Sequence, residues 1–158
     1  MEFRSAQSRD VPEILALLRQ AGNLLHRGRP DLFRCNAQKY GASQVLSMLD
    51  SASDPIFVAV EEDKVLACAF CSMEVYSRDP VMNDHYSFRI QDLCVEEGRR
   101  RQHIGTELYR QIERYARSRN CHSVTLDVWT CSPEAVKFFE SLGLRPRMLG
   151  MEALTEEA

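Results

Sequence analysis

In the stretch Leu93-Cys94-Val95-Glu96-Glu97-Gly98-Arg99-Arg100-Arg101-Gln102-His103-Ile104-Gly105-Thr106 the residue pattern changes its period. Before it, Ser87 to Val95 reads as a strand; after it, Ile104, Leu108, Ile112 and Tyr115 mark one face of a helix running to about Ser118. Ser123 to Trp129 then reads as a second strand. Strand, helix and strand in this order predict a βαβ unit with parallel strands and a right-handed crossover. Between the first strand and the helix, Arg99, Arg100 and Arg101 are delivered to a helix N-terminus. Free backbone N–H groups and the helix dipole favour an anion there, phosphate above all. The loop is not a Walker loop, because no Gly-Lys-Ser/Thr follows, and it lacks the glycines of a dinucleotide fingerprint.

On the N-terminal side, Phe3 to Ala6 predicts a short strand and Ser8 a helix cap, with Val11, Ile14, Leu15, Leu18 and Leu25 at helical spacing and Pro12 tolerated in the first turn. The segment His26 to Phe33 is expected to break that helix, and Ala37 to Leu49 to form a second. Pro55 to Val60 and Val65 to Val75, joined by Glu61-Glu62-Asp63-Lys64, predict an antiparallel hairpin. On the C-terminal side, Pro133 opens an amphipathic helix carrying Ala135, Phe138, Phe139 and Leu142, and Gly143 stands where a left-handed cap belongs. Arg145 to Glu152 is expected to close the sheet as a last strand. The fold class is therefore mixed α/β, with an antiparallel first half and a parallel crossover in the second. No repeat, low-complexity tract or linker divides the chain, so residues 1–158 are expected to form one domain, with 153–158 a frayed tail.

Composition narrows the function. The 20 Lys+Arg against 23 Asp+Glu give a net charge of −3, which offers no general attraction to nucleic acid or an anionic membrane. The apolar runs fall far short of the roughly 20 residues of a membrane helix. Met1 to Ser5 has no secretory pattern, so the expected compartment is the cytosol, with thiols reduced. The six cysteines are scattered (Cys35, Cys68, Cys71, Cys94, Cys121, Cys131), and the CxxC spacing of Cys68 and Cys71 falls in a strand, where positions three apart face opposite sides. No metal site is expected. His85 and His122 read as surface residues.

Leu93-Cys94-Val95 followed by Arg100 to Thr106 resembles motif A of the GNAT superfamily, the acyl-CoA-dependent N-acyltransferases: a Leu-x-Val strand and then Arg/Gln-x-x-Gly-x-Gly/Ala. Ser132-Pro133-Glu134-Ala135-Val136-Lys137-Phe138-Phe139-Glu140-Ser141-Leu142-Gly143-Leu144 is similar to the second signature of that family, Asn-x-x-Ala-x-x-Phe/Leu-Tyr-Glu-x-x-Gly-Phe. The order of the other elements also fits.

The resemblance implies acetyl-CoA as cosubstrate, a primary amine as acceptor and direct transfer in a ternary complex. It implies that the strands Ser87–Val95 and Ser123–Trp129 splay apart, admitting the pantetheine arm beside the main chain of Leu93, Cys94 and Val95. The diphosphate is then expected on Arg100, Arg101, Gln102, His103, Ile104, Gly105 and Thr106, with Ser132 and Phe139 also at the cofactor. Direct attack needs a neutral amine, and a carboxylate is the expected helper. Asp127 aligns with a Glu serving as general base in protein N-terminal acetyltransferases of this kind, and Asp92 beside the cofactor strand is the other candidate, acting through a water.

Two positions depart from the pattern. His103 replaces the first glycine of motif A, and Phe139 replaces the Tyr whose hydroxyl often protonates the departing thiolate; Tyr76 and Tyr86 are conceivable substitutes. In the family, a segment such as His26 to Phe33 builds one wall of the acceptor site, and Trp129 is a candidate to line it, against the simpler expectation of a buried Trp. The alternative function is an acyl-CoA-binding module with weak or no turnover, and a homodimer is left open.

Overall fold

The computed structural model describes residues 1–156; Glu157 and Ala158, the end of the expected tail, lie outside the described residues. Glu2–Ser5 forms strand β1, and Val11–Gly28 forms helix α1. α1 begins at Val11, with Asp10 as its N-cap after a 3-10 turn over Ser8–Asp10, so the cap is not Ser8. The reason is the buried Asp10 carboxylate, which accepts from Arg4 at 2.6 and 3.0 Å and from the Gln7 N–H at 2.7 Å, so the chain is tied down before the helix starts.

α1 also runs through the expected break at His26. It ends at Gly28, where a Cβ would stand 2.9 Å from the Cβ of Cys131, so the helix end and the chain near Cys131 meet where only glycine fits. The second helix, α2, is Ala42–Met48 rather than Ala37 to Leu49. Gly41 is extended and its N–H donates to Gln44 Oε1 at 2.7 Å, which sets the start and leaves 37–40 outside the helix.

Strands β2 (Ile56–Glu61), β3 (Lys64–Tyr76), β4 (His85–Val95) and β5 (Ser123–Thr125) complete a sheet, ordered β1-β2-β3-β4-β5 among the described residues. All neighbours are antiparallel except β4 and β5, which are parallel. Between them runs α3, Ile104–Ser118; α4, Pro133–Ser141, follows β5. Gly143 after α4 has the expected left-handed backbone, at φ +92°. α1 and α2 cover one face of the sheet with Ile14, Leu18 and Val45 against Val58, Cys68, Phe70 and Cys94. α3 covers the other with Leu108 and Ile112 against Leu66, Cys71, Phe88 and Ile90. Cys68 and Cys71 thus lie on opposite faces, and burial drives the Cys71 thiol well above its ordinary range.

The closing strand expected over 145–152 does not form: this segment pairs with no strand, and Met148, Leu149 and Met151 are exposed. Pro146 lacks an N–H, and the strand it would extend stops at Thr125. His85, expected at the surface, is partly exposed there. It stacks on Tyr76 at 4.5 Å between ring centroids, with the exposed His122 edge-on at 5.6 Å.

Candidate active site

The β4–β5 ladder has three rungs, Ser87 to Ser123, Phe88 to Val124 and Arg89 to Thr125. β4 continues to Val95, while the chain after Thr125 leaves the sheet, so the strand expected to reach Trp129 is only three residues long. Beyond Arg89 the main chain of β4 therefore has no strand partner on that side among the described residues.

A bulge sits at the same place. Phe70 pairs with Asp92 but Cys71 with Ile90, so Gln91 is the extra residue, and its side chain donates to Ser72 at 3.2 Å. The bulge changes which side chains face α3: Phe88 and Ile90 before it, Leu93 and Val95 after it. Cys94 consequently packs on the α1 side. Asp92 projects to that side as well, where Lys39 Nζ meets its Oδ2 at 2.5 Å. Without the extra residue the Asp92 carboxylate would point into the apolar layer beneath α3.

The end of β4 is clamped from α1. Gln20 donates to the Val95 carbonyl at 2.9 Å and accepts from the Glu97 N–H at 3.0 Å. Of the main-chain groups expected to meet a pantetheine arm, the Val95 carbonyl is thus already bonded. In the following loop Arg99 is spoken for: it donates to Glu61 and to Gln102, and its hydrogen bond to Glu61 holds that carboxyl below its ordinary value. Arg101 and His103 are exposed and both adopt left-handed backbone, at φ +61° and +60°. Left-handed residues turn successive N–H groups into an anion-binding concavity. His103 is the N-cap of α3, and no side chain caps that helix.

Gly105 and α4 meet closely. A Cβ on Gly105 would lie 3.1 Å from Cζ of Phe138 and 3.3 Å from Cγ2 of Val95. Phe139, half-buried, packs edge-on against Phe138 at 5.0 Å, and half-buried Ser132 is the residue before α4.

Asp127 lies two residues past the last rung. Its carboxylate accepts from Arg89 at 2.6 Å, and that hydrogen bond raises the Arg89 guanidinium's affinity for its proton. Arg89 also approaches Glu74 at 4.0 Å. The Asp127 side chain is 67% exposed against 19% for Asp92. Trp129 is 47% exposed rather than buried, edge-on to Phe33 at 5.1 Å, so the aromatic pair joins the 26–33 segment to the chain after β5. Tyr76 and Tyr86 belong to the other end of the sheet. Tyr86 is seven residues before Leu93, roughly 23 Å at strand spacing, and the Tyr76 hydroxyl donates to Glu74.

A sequence profile described as "Acetyltransferase (GNAT) family" matches residues 24–144. The chain belongs to the GNAT family. No protein of curated function matches it. The GNAT fold is shared with a mutant of the BH1408 protein from Bacillus halodurans, at 27% identity and TM-score 0.94, covering 99% of this chain and 100% of that one. A putative acetyltransferase from Agrobacterium tumefaciens is similar at 21% identity and TM-score 0.75, covering 98% and 100%. An aminoglycoside N-acetyltransferase in complex with CoA is similar in fold at 12% identity and TM-score 0.70, covering 98% and 99%.

Three features of this GNAT chain escaped the sequence. Lys39 reaches Asp92 across 53 positions, Arg89 reaches Asp127 across 38, and Gln20 reaches Val95 across 75. The bulge alone left a signal: Gln91 and Asp92 are two polar residues in succession where a strand should alternate.

Proposed function

We propose that this protein is an acetyl-CoA-dependent N-acetyltransferase acting on a primary amine. The observation that carries the reading is the end of the β4–β5 ladder at Arg89 and Thr125. It leaves the main chain of Leu93, which faces away from β3, without a strand partner on the way to an uncapped helix N-terminus. Such a run of donors suits a long ligand that is amide-like at one end and anionic at the other.

Acetyl-CoA would supply an activated acyl thioester. Arg100 to Thr106 would hold its diphosphate on backbone N–H groups, with Arg100 and Arg101 adding charge. A backbone N–H near Leu93 would polarise the carbonyl, and Ser132 and Phe139 would bound the arm from the α4 side. We assign the general base to Asp92, since it adjoins Leu93 and is the less exposed of the two carboxylates; Asp127, held by Arg89, would attract and orient the acceptor ammonium. Phe33 and Trp129 would form an apolar wall for the acceptor.

The test is a thermal-shift titration with acetyl-CoA followed by a thiol-release screen against an amine library. Stabilisation growing with ligand concentration, then thiol release with at least one amine, supports the reading. No shift at millimolar acetyl-CoA overturns it. A second reading, an acyl-CoA-binding module, draws on Phe139 and on the ion pairs that already occupy both carboxylates; stabilisation without thiol release from any amine would favour it.

A further inference from the structure

Lys39 stands where an acceptor amine would stand if Asp92 were the base. Its ammonium lies 2.5 Å from Asp92 Oδ2 and 5.4 Å from the centre of the Tyr40 ring. The Tyr40 ring stacks on Phe70 at 5.4 Å, and Phe70 is the cross-strand partner of Asp92. The segment is anchored on both sides of the lysine. Asn36 and Asn23 exchange hydrogen bonds at 2.7 and 2.9 Å, and Gln38 accepts from Arg19 at 2.5 Å while donating to the Tyr40 carbonyl at 2.9 Å. The Lys39 side chain is 47% exposed, so it is neither buried nor waving freely.

We propose that Lys39 is an acceptor in its own right, and that the protein acetylates this lysine intramolecularly when acetyl-CoA is bound and no other amine competes. The inference rests on the acetyl-CoA reading above. Asp92 takes one proton from the Lys39 ammonium, and the freed Nζ lone pair attacks the thioester carbonyl carbon. A nitrogen–carbon bond forms and the carbon–sulfur bond breaks. The second proton leaving nitrogen goes to the departing thiolate, and Asp92 releases its own to water. The sum is ammonium plus thioester giving amide, thiol and one proton, with no oxidant or reductant needed. The product amide carries no charge, so the ion pair with Asp92 is lost and the carboxylate is released to face an external amine.

The other lysines, Lys64 and Lys137, provide internal controls. Lys64 pairs with Glu96 at 2.6 Å, a comparable contact four residues further along the chain than Asp92. The full chain is incubated with acetyl-CoA alone, and acetylation at each lysine is followed by peptide mass spectrometry after digestion at acidic residues. Lys39 is expected to react at least tenfold faster than Lys64 and Lys137, at a rate independent of protein concentration. Asp92→Asn is expected to slow it at least tenfold while the thermal shift with acetyl-CoA persists. If Lys39 reacts no faster than Lys64 while acetyl-CoA still stabilises the protein, the ion pair is an ordinary surface contact and the inference falls alone. A rate that rises with protein concentration overturns the intramolecular step. Absence of any thermal shift overturns the acetyl-CoA reading itself.

Discussion

Gly105 and Phe138 are in contact by virtue of a missing atom: a Cβ at Gly105 would sit 3.1 Å from the Phe138 ring. That approach seats α4 on the first turn of α3, beside the loop that would carry the diphosphate. Gly105→Ala gains helix propensity of up to about 1 kcal/mol and loses some of it to the ring's displacement. Gly105→Val has no such balance, because two further carbons collide with Phe138 and Val95. The expected outcome is near-wild-type melting and acetyl-CoA response for Gly105→Ala, and for Gly105→Val a lowered Tm with the acetyl-CoA shift largely lost.

His103 holds φ +60° at the N-cap of α3, a conformation that glycine adopts without penalty. Left-handed backbone costs an ordinary residue roughly 1–2 kcal/mol, part of which glycine returns through its freedom in the unfolded chain. His103→Gly is therefore expected to raise stability by up to about 1 kcal/mol and to strengthen acetyl-CoA binding by removing a side chain from the anion's approach. His103→Val, β-branched, is expected to destabilise. Urea unfolding of the three proteins decides it; a destabilised His103→Gly would show that the imidazole makes a contribution larger than its backbone strain.

The buried pair Arg4 and Asp10 sets an acid limit on the fold. Burial by itself would raise the Asp10 carboxyl, but the hydrogen bonds from Arg4 and from the Gln7 N–H outweigh it and leave it below its ordinary value. A carboxyl depressed in the folded state adds stability above its unfolded pKa, about 3.9, and that contribution disappears as pH falls through the folded value. Stability should thus decline below about pH 4 and not in the neutral range on this account. Asp10→Asn leaves the Arg4 charge, 13% exposed, with the exposed Glu2 at 3.7 Å as its remaining carboxylate, and is expected to cost up to about 3 kcal/mol at pH 7. Its urea midpoint should then fall less between pH 5 and pH 3 than that of the wild type.

With an accepted amine in hand, Asp92→Asn is expected to lower kcat by roughly 100-fold with the acetyl-CoA thermal shift intact. The ion pair with Arg89 gives Asp127 a different signature. Asp127→Asn should act chiefly on KM for a cationic acceptor. If kcat instead falls with Asp127→Asn and not with Asp92→Asn, the base assignment reverses; if neither moves, desolvation of the amine suffices.

The strand, arginine loop and helix from Ser87 to Ser118 were readable because each is local: alternation, a charge run and a helical repeat within 32 positions, the last ending in α3 as observed. Gly143 was readable for the same reason, since a glycine after an amphipathic run has one conformational use. The failures were matters of partnership. Arg145 to Glu152 has strand-like residues but no strand to pair with, and 37–40 has helical composition but lies upstream of the Gly41 cap. Lys39 and Arg89 carry ordinary exposed-looking charges, and only the folded sheet brings them to Asp92 and Asp127.

Phe139 is the second place, after His103, where this chain and its family's pattern part. It is half-buried against Phe138 and has no proton to give, and the tyrosines considered as substitutes lie at the opposite end of the sheet. A thiol of pKa near 8.5 leaves without much help, so under the acetyl-CoA reading the departing sulfur would take its proton from water or from the attacking amine. Phe139→Tyr is then expected to change kcat less than threefold, because a phenol assists only when it lies within about 3 Å of the sulfur and when departure limits the rate. The added hydroxyl must also be hydrated, which the half-exposed site allows, so folding stability should move by under about 1 kcal/mol. A rise in kcat of tenfold or more, about 1.4 kcal/mol of barrier, would show instead that thiolate departure limits the natural protein. Turnover found only in the Phe139→Tyr variant, with none in the wild type against any amine, would make the natural protein a binding module whose loss of one hydroxyl ended its catalysis.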